Sequence, residues 1–411
     1  MSYKSLYKKY LMNNSTDFNK MYIDKFKSDS TVKFDFYINN YQAFITYDKE
    51  IISLVSRIRE YDYYINDLIN ELPNFAVERY LRNSLIDEVR YTNQVEGIIS
   101  TTKDINDLIN EIEKKIKSKN RFEGIVKKYL YLLDDLFTIN EPKDIRKLYD
   151  DMLYNEIKKE DKTALPDGKM FRKEIVHVLK PSSRIVHTGL YPEQKIIEHM
   201  EKAIEILKDG SIDIIIRIAI FHYLFSYIHP FYDGNGRLNR FISSSYLCKY
   251  LNKIIGFKLS TTINENLSKY LDAFEHTNDI RNRADLTTFV HEFLLIIYNA
   301  YESVGKYMLS KINEYNSYMK KLHDMYISGD VVFDNDNIYQ MLKVMVGCTI
   351  FGDFGVTKSN LCKILDKGRT RVTEYLCMLK NLDLCYEIRS ANYYYYKANL
   401  DLINSKGEKE C

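Results

Sequence analysis

The sequence is poor in residues that form tight turns. It contains six Pro and 15 Gly in 411 residues, and long segments rich in Leu, Ile, Lys and Glu run between them. Both features predict a mainly helical protein. Trp is absent whereas Tyr occurs 36 times, a bias that we attribute to genome composition. The length predicts two or three domains, because single hydrophobic cores rarely grow past about 300 residues.

Signals for metal sites, secretion and membrane insertion are also missing. The six Cys form no C-x-x-C pair and have no regular spacing, which favours reduced thiols over a zinc site or a disulfide framework. The N-terminus has no apolar run typical of a signal peptide. The most apolar segment, 212–228, carries Asp213, Arg217 and His222 and is too short to span a bilayer. We therefore expect a cytoplasmic protein that does not bind membranes, and the net charge of +2 gives no overall field for nucleic acid.

One segment, residues 229–240, concentrates chemically active residues and reads HPFYDGNGRLNR. The apolar segment before it is long enough for a buried helix. Pro230 disfavours the helical conformation at His229, so that helix should end there. A second helix is predicted from Arg237 to Leu251. The segment is therefore expected to be a loop that joins two helices.

The start of the second helix has the features of an anion site. Backbone N–H groups after Gly234 can form a nest, and the helix dipole adds positive potential. Arg237 and Arg240 lie three residues apart on one face, and cations at this helix end are unfavourable without an anionic partner. A polyphosphate fits this arrangement. Asp233 is a hard oxygen ligand suited to Mg²⁺ between phosphates, and His229 could take a proton from an attacking hydroxyl.

At every defining position the segment resembles the Fic family signature, H-P-F-x-D-G-N-G-R-x-x-R. The resemblance implies transfer of AMP from ATP to a hydroxyl side chain of a target protein, with His229 as the base and Asp233 as the Mg²⁺ ligand. It also implies a set of phosphate-binding residues, with the γ-phosphate at the last of them: Gly234, Asn235, Gly236, Arg237 and Arg240. The alternative is a structural helix hairpin with a glycine turn.

A second segment, residues 92–97, ends a predicted helix with the sequence TNQVEG. Gly97 is suited to the position after a helix C-terminus, but a carboxylate at Glu96 meets the negative end of the dipole. Glu96 is therefore either an exposed residue kept for solubility or one with a cationic partner. The segment resembles the Fic inhibitory motif, S/T-x-x-x-E-G/N. This implies that Glu96 pairs with Arg240 in the γ-phosphate site, while Thr92 tethers an inhibitory helix at about 80–97.

Two β-branched runs, 175–178 and 185–188, predict a β-hairpin with its turn at 180–183. The resemblance makes this hairpin the flap of a Fic fold, whose edge would hold a target protein by strand addition and present a Ser, Thr or Tyr hydroxyl to His229. The alternative is a surface hairpin without a ligand. His177 and His187 are assigned no role. Further nucleotide contacts are expected at Thr188, Gly189, Leu190, Tyr191, Tyr270 and Asn278.

The two ends of the chain are predicted from periodicity alone. Residues 35–72 have helical spacing of apolar residues. In residues 328–411, helices at 337–347, 357–365 and 370–381 and two short strands resemble a winged helix. This part contains 11 Lys/Arg and 11 Asp/Glu. Since DNA-binding domains are usually basic, DNA is a less favoured partner than a protein, and dimerisation is the other option.

The predicted fold is mainly α, in four parts. These are an N-terminal helical region (1–115), a Fic-type catalytic core with a β-hairpin flap (116–300), a linker helix (301–327) and a winged-helix-like domain (328–411). The predicted function is a Mg²⁺-dependent protein adenylyltransferase inhibited by Glu96, acting on a target protein or on itself, with a homodimer left open. The alternatives are AMP removal at the same site, transfer of another nucleotide group, and a DNA-binding regulator with a nucleotide-sensing Fic domain. A scaffold with a dead site is disfavoured because no motif position is degraded.

Overall fold

The structure is a computed structural model, and it describes residues 5–12, 15–116, 118, 120–134, 137–179, 184–329, 336–352, 355–390 and 393–407. The predicted hairpin turn at 180–183 lies outside the described residues. The fold is mainly α, as predicted. Within the described ranges, no helix is both long and apolar enough to cross a membrane.

The chain divides into two compact units. The first comprises residues 1–62 and 85–302, and the second comprises 63–84 and 303–411. The domain boundaries at 115, 300 and 327 remain a prediction, and the two units divide at 62, 84 and 302. Three helices contribute to both units, and a boundary inside a helix has no Gly-rich or Pro-rich linker that would reveal it in the sequence.

The first unit holds two hairpins and most of the helices. Its elements, including the three helices shared with the second unit, are α1 (Leu6–Met12), α2 (Ser15–Lys27), β1 (Thr31–Ile38), β2 (Tyr41–Thr46), α3 (Lys49–Asn70, shared), α4 (Asn74–Val95, shared), α5 (Thr102–Glu113), α6 (Glu123–Asp134), α7 (Pro142–Met152), α8 (Tyr154–Glu160), β3 (His177–Leu179), β4 (Ile185–Thr188), α9 (Glu193–Lys208), α10 (Ile214–Ile228), α11 (Asn235–Tyr250), α12 (Lys253–Gly256), α13 (Leu259–Glu265), α14 (Leu267–Asn278) and α15 (Thr287–Ser328, shared).

Helices α10 and α11 form the centre of this unit. Almost every residue of α10 is buried, and the helix packs against α9 and α11. A helix that is apolar all round is expected in a core. Helix α11 is also buried but carries polar residues, among them Asn239 and Ser243 to Ser245. Buried polar groups need hydrogen-bond partners, so these side chains tie α11 to the residues around it. The loop between α10 and α11 is therefore held at both ends by buried helices.

The prediction of a helix from residue 35 is wrong for the first part of that range. Strands β1 and β2 pair antiparallel, with Ile38 opposite Tyr41. The two residues between them, Asn39 and Asn40, have φ angles of 49° and 67°, as a two-residue hairpin turn requires. Burial alternates along β1, so the period is two and not 3.6. The helical pattern begins only at α3.

The second hairpin is present where it was predicted. Strands β3 and β4 pair antiparallel with His177 opposite Thr188 and Val178 opposite His187, and the register shifts before Leu179 pairs with Ile185. The hairpin lies next to α14.

The second unit contains the predicted C-terminal elements. It comprises the shared parts of α3, α4 and α15 together with α16 (Asp336–Ile350), β5 (Val356–Thr357), α17 (Lys358–Leu365), α18 (Arg369–Asn381), β6 (Cys385–Ser390), β7 (Tyr393–Ala398) and α19 (Leu400–Gly407). The three strands form one antiparallel sheet in the order β5-β7-β6. The winged-helix assignment of this unit remains a prediction.

Candidate active site

The loop between α10 and α11 is fixed by its own residues. His229, directly before Pro230, has left-handed φ and ψ of 52° and 65°, which ends α10. The Asn235 side chain accepts from the Phe231 N–H at 3.0 Å and donates to the Phe231 carbonyl at 2.8 Å. The Phe231 ring stacks on Tyr149 with centroids 4.0 Å apart. Phe231 therefore points into the core and holds the loop.

Gly234 is required by the backbone at this point. Its φ is +83°, a conformation that residues with a Cβ rarely adopt. A Cβ added there would also overlap the side chain of Leu153. Gly234 precedes the first turn of α11, where the first N–H groups have no acceptor within the helix.

Arg172, which sequence analysis did not identify, holds His229 in place. The guanidinium is fully buried. Its Nε donates to the His229 carbonyl at 2.8 Å, and its two Nη atoms donate to the carbonyls of Glu174 at 2.6 Å and Leu190 at 2.8 Å. Arg172 thus joins the loop between α10 and α11 to the base of the β3–β4 hairpin. No motif in the sequence marks it.

The imidazole of His229 is held in its neutral form. Burial, together with the neighbouring His187 and Arg172, lowers its pKa to about 4. A neutral imidazole at pH 7 can accept a proton. His187, which was assigned no role, lies beside the site with its Nε2 2.6 Å from the Tyr227 carbonyl oxygen.

The predicted ion pair between Glu96 and Arg240 is present. Arg240 is buried, and its Nη2 donates to Oε1 of Glu96 at 2.7 Å. Its Nε donates to the Thr92 hydroxyl and its Nη2 to the Thr92 carbonyl, each at 2.9 Å. A Cβ added at Gly236 would overlap Oε1 of Glu96. The carboxylate therefore lies directly on the first turn of α11, where the nest was predicted.

Arg237, for which a phosphate contact was predicted, forms an ion pair inside the protein. Its Nη1 donates to Oε1 of Glu156 at 2.7 Å, and both side chains are at most 1% exposed. Its Nη2 is 3.8 Å from Oδ2 of Asp233. The guanidinium therefore extends into the interior, because a buried carboxylate on α8 attracts it there. Sequence analysis did not identify Glu156, since no local pattern marks it.

Asp233 presents a solvent-exposed carboxylate in the loop between α10 and α11. The side chain is 51% exposed, and its Oδ1 accepts from the Gly234 N–H at 2.6 Å. Within the described ranges, no group of three or more His, Cys, Asp or Glu could hold a metal ion. One carboxylate fits Mg²⁺, because this ion is commonly bound by one or two carboxylates together with substrate phosphates and water.

A cavity of about 270 Å³ opens beside His229. Gly236, Arg240 and Glu96 lie at its polar end. The remaining lining includes apolar side chains from the hairpin and from α14, and the predicted residues Tyr270 and Asn278: Val95, Val178, Leu179, Val186, His187, Ser226, Asn235, Tyr270, Leu271, Phe274, Glu275 and Asn278.

The hairpin lines this cavity with different residues from those predicted. Thr188, Gly189, Leu190 and Tyr191 are not among the lining residues. Thr188 bonds to His177 across the hairpin at 2.9 Å, Gly189 packs on Arg172 and His229, and the Leu190 N–H donates to the Ile228 carbonyl at 3.1 Å. This segment holds the base of the hairpin, and the strands before it face the cavity.

The polar groups of Tyr270 and Asn278 have partners inside the protein. The Tyr270 hydroxyl and Nε2 of His222 are 2.7 Å apart, and Oδ1 of Asn278 accepts from the Tyr223 hydroxyl at 2.7 Å. Arg184 at the end of the hairpin forms an ion pair with Glu275 on α14. The far end of the cavity is therefore built from fixed side chains.

Comparisons with known proteins agree with this geometry. Residues 136–247, which include the loop between α10 and α11 and the first turn of α11, match the model of the Fic/DOC family. The chain carries a Fic/DOC family domain. Helix α4, with Thr92 and Glu96, lies outside the matched residues of this Fic/DOC domain. No curated protein matches the chain.

Solved structures with a Fic domain resemble the chain. A Fic family protein from Desulfovibrio desulfuricans G20 superposes with a TM-score of 0.50 at 18% identity, covering 86% of this chain and 97% of that one. This likeness shows the fold. Fic-1 (residues 134–508) from C. elegans gives 0.40 at 19% identity, with 63% and 75% covered. A Fic domain containing signaling protein from Bacteroides thetaiotaomicron VPI-5482 gives 0.36 at 15%, with 62% and 97% covered.

Proposed function

We propose that the Fic/DOC domain transfers AMP from ATP to a hydroxyl side chain of a target protein, and that Glu96 inhibits this transfer. One observation carries the proposal. The Glu96 carboxylate lies on the first turn of α11, against Gly236 and Arg240, in the same cavity as His229. An anion of the protein thus occupies the place where backbone N–H groups and a guanidinium would bind a phosphate.

The transfer requires one proton acceptor and one anion site. The target oxygen attacks the α-phosphorus of ATP, the bond from that phosphorus to the α,β-bridging oxygen breaks, and pyrophosphate leaves. The hydroxyl proton passes to His229. One ring nitrogen of His229 bonds to the Ser226 carbonyl, which leaves the other nitrogen to accept this proton. The first turn of α11 then holds the negative charge of the phosphates.

Asp233 is the residue that would hold Mg²⁺. When bound, the ion would neutralise charge on the phosphates and orient them. The ion pair of Arg237 with buried Glu156 places its Nη2 3.8 Å from Asp233 and so limits where this carboxylate can move. Arg237 would therefore orient Asp233, the metal ligand, and Arg240 would bind the γ-phosphate.

Inhibition follows from competition for Arg240. While Glu96 accepts from Nη2 of Arg240 at 2.7 Å, a γ-phosphate cannot take the same donor. ATP can then bind only with its phosphates displaced from the productive position. Thr92 keeps the guanidinium oriented through two hydrogen bonds, so the site is ready once Glu96 leaves.

The β3–β4 hairpin is the surface on which a target would dock. It is a two-stranded sheet, and an extended target segment can add to such an edge through backbone hydrogen bonds. The base of the hairpin packs on His229 through Gly189, which would bring a Ser, Thr or Tyr hydroxyl of the target near the imidazole. A second copy of the chain is one such target.

The proposal is tested with purified wild type, Glu96→Gly and the double variant Glu96→Gly/His229→Ala. Each is incubated with Mg²⁺ and ATP labelled at the α-phosphate, alone and with cell lysate, and label on protein is counted. We expect strong labelling by Glu96→Gly, little by wild type and none by the double variant. Gln94→Gly is the matched control, because it places the same helix-weakening residue at an exposed site in the same turn.

Three results would contradict the proposal. Equal labelling by wild type and Glu96→Gly would remove the inhibitory role of Glu96. Absence of label from every protein would exclude AMP transfer as the activity. Release of AMP from a modified target would then be measured. Labelling that survives in the double variant would remove His229 as the base.

A further inference from the structure

Glu88 lies on the same face of α4 as the inhibitory residues. Glu88 and Thr92 lie four residues apart on α4, and Glu96 follows four residues later, directly after the last residue of the helix, so the three side chains lie along one face. Glu96 is partly exposed at the cavity, whereas Glu88 is fully buried. The proposed reaction uses Thr92 and Glu96 but gives Glu88 no part. A buried carboxylate two turns from the inhibitory contact therefore needs its own account.

Three helices contribute groups that meet at the Glu88 carboxylate. From α13, the Ser260 N–H donates to Oε2 at 2.7 Å and the Ser260 hydroxyl to Oε1 at 2.6 Å. From α11, the Ser244 hydroxyl donates to Oε1 at 3.1 Å. From α6, the Tyr129 hydroxyl lies 3.5 Å from Oε1. Helix α4 is thus fastened at this point to the helix that carries Arg240.

The electrostatics around Glu88 set its protonation. Burial raises its pKa to about 7, while the Ser260 and Ser244 hydrogen bonds and the charge of Arg240 oppose this rise. Tyr129 and Cys248 also face the site, and burial raises the pKa of each, so both are neutral at pH 7. Among these groups, Glu88 alone changes charge near neutral pH.

We propose that Glu88 is a positioning residue for inhibition, which docks α4 onto α11 and α13 so that Thr92 and Glu96 reach Arg240. The proposal rests on the proposed inhibition by Glu96. It adds a regulatory consequence, because the docked helix buries the carboxylate and a released helix exposes it to water.

The direction of the pH effect follows from linkage. In the docked state the pKa of Glu88 is about 7, and in water a Glu carboxyl has a pKa of about 4.3. The docked state therefore binds the proton more tightly, and docking is strongest at low pH and weakens as pH rises through the docked pKa. Between about pH 6 and about pH 8.5, the docking equilibrium should fall by up to about tenfold.

The test compares AMP transfer in four proteins across this pH range: wild type, Glu96→Gly, Glu88→Gln and Glu88→Gln/Glu96→Gly. At each pH, the activity of the protein with Gly at 96 is divided by that of its partner with Glu at 96. This ratio measures inhibition and cancels titrations of the catalytic residues. With Glu at 88, we expect the ratio to fall by up to about tenfold from about pH 6 to about pH 8.5. With Gln at 88, which is neutral at every pH, we expect it to stay high and constant.

A second measurement does not depend on activity. Backbone amides near the end of α4 should exchange with deuterium faster in wild type than in Glu88→Gln, and this difference should be up to about tenfold larger at about pH 8.5 than at about pH 6. Ratios with the same pH dependence in both backgrounds, or equal exchange at both pH values, would overturn the role of Glu88 while leaving inhibition by Glu96 intact. A ratio of one at every pH would overturn inhibition itself, and the role of Glu88 with it.

Discussion

The two arginines of the motif form ion pairs that differ in the burial of the carboxylate. Arg237 pairs with Glu156, and both side chains are at most 1% exposed. Arg240 is equally buried, but its partner Glu96 is 35% exposed at the edge of the cavity. Breaking a fully buried pair leaves an uncompensated charge in the interior, whereas a carboxylate at the surface can move into water. The first pair therefore stabilises the fold, and the second can open for a ligand.

The largest effect is expected from breaking the buried pair. Glu156→Gln leaves the buried Arg237 guanidinium with only the exposed carboxylate of Asp233, 3.8 Å from its Nη2, as a countercharge, and should lower the free energy of unfolding by about 3–5 kcal/mol. Chemical denaturation followed by circular dichroism measures this change. A loss below about 1 kcal/mol would mean that Arg237 finds another partner or reaches water, and the contrast between the two pairs would disappear.

A third buried arginine extends the comparison to a site with carbonyl partners. Arg172→Ala removes the donors to the His229, Glu174 and Leu190 carbonyls, and each buried carbonyl left unsatisfied costs about 1–3 kcal/mol. In the Glu96→Gly background, displacement of His229 should also lower kcat by on the order of 10²-fold. Steady-state kinetics separates kcat from KM. A change in KM alone would contradict a role in positioning the base.

The smallest effect on stability is expected at the exposed pair. Glu96→Gln should lower the free energy of unfolding by about 1–2 kcal/mol, less than Glu156→Gln, because Glu96 is 35% exposed and Arg240 keeps its two hydrogen bonds to Thr92, while AMP transfer rises. Denaturation alongside Glu156→Gln gives the direct contrast between matched Glu→Gln changes. If Glu96→Gln were as destabilising as Glu156→Gln, Glu96 would be a structural residue.

Local patterns were enough to predict the central part of the site. Pro230 predicted the end of α10, and Gly97 after Glu96 predicted the end of α4, where φ is +74°. The pairing of Glu96 with Arg240 came from the family resemblance. These features depend on neighbours in sequence or on a known motif, which is why they could be found without a structure.

The supporting residues could not be predicted in this way. The contacts of Arg172 with His229, of Glu156 with Arg237 and of Glu88 with Ser260 join residues 57, 81 and 172 positions apart. No short pattern links partners across such separations. The hairpin β1–β2 is a different case. The alternation of apolar and polar residues and the Asn39-Asn40 turn were visible in the sequence. These residues were assigned to a helix because the period of their apolar positions was misjudged.

The most direct test of the account compares ATP and ADP binding by calorimetry in wild type and Glu96→Gly. If Glu96 occupies the N–H groups of Arg240 that would bind the γ-phosphate, wild type should bind the two nucleotides with nearly equal Kd. Glu96→Gly should then bind ATP about 10- to 100-fold more tightly than ADP, since a charge-assisted hydrogen bond contributes about 1.5–3 kcal/mol. The same ratio of Kd values in both proteins would contradict the claim that Glu96 occupies the γ-phosphate site.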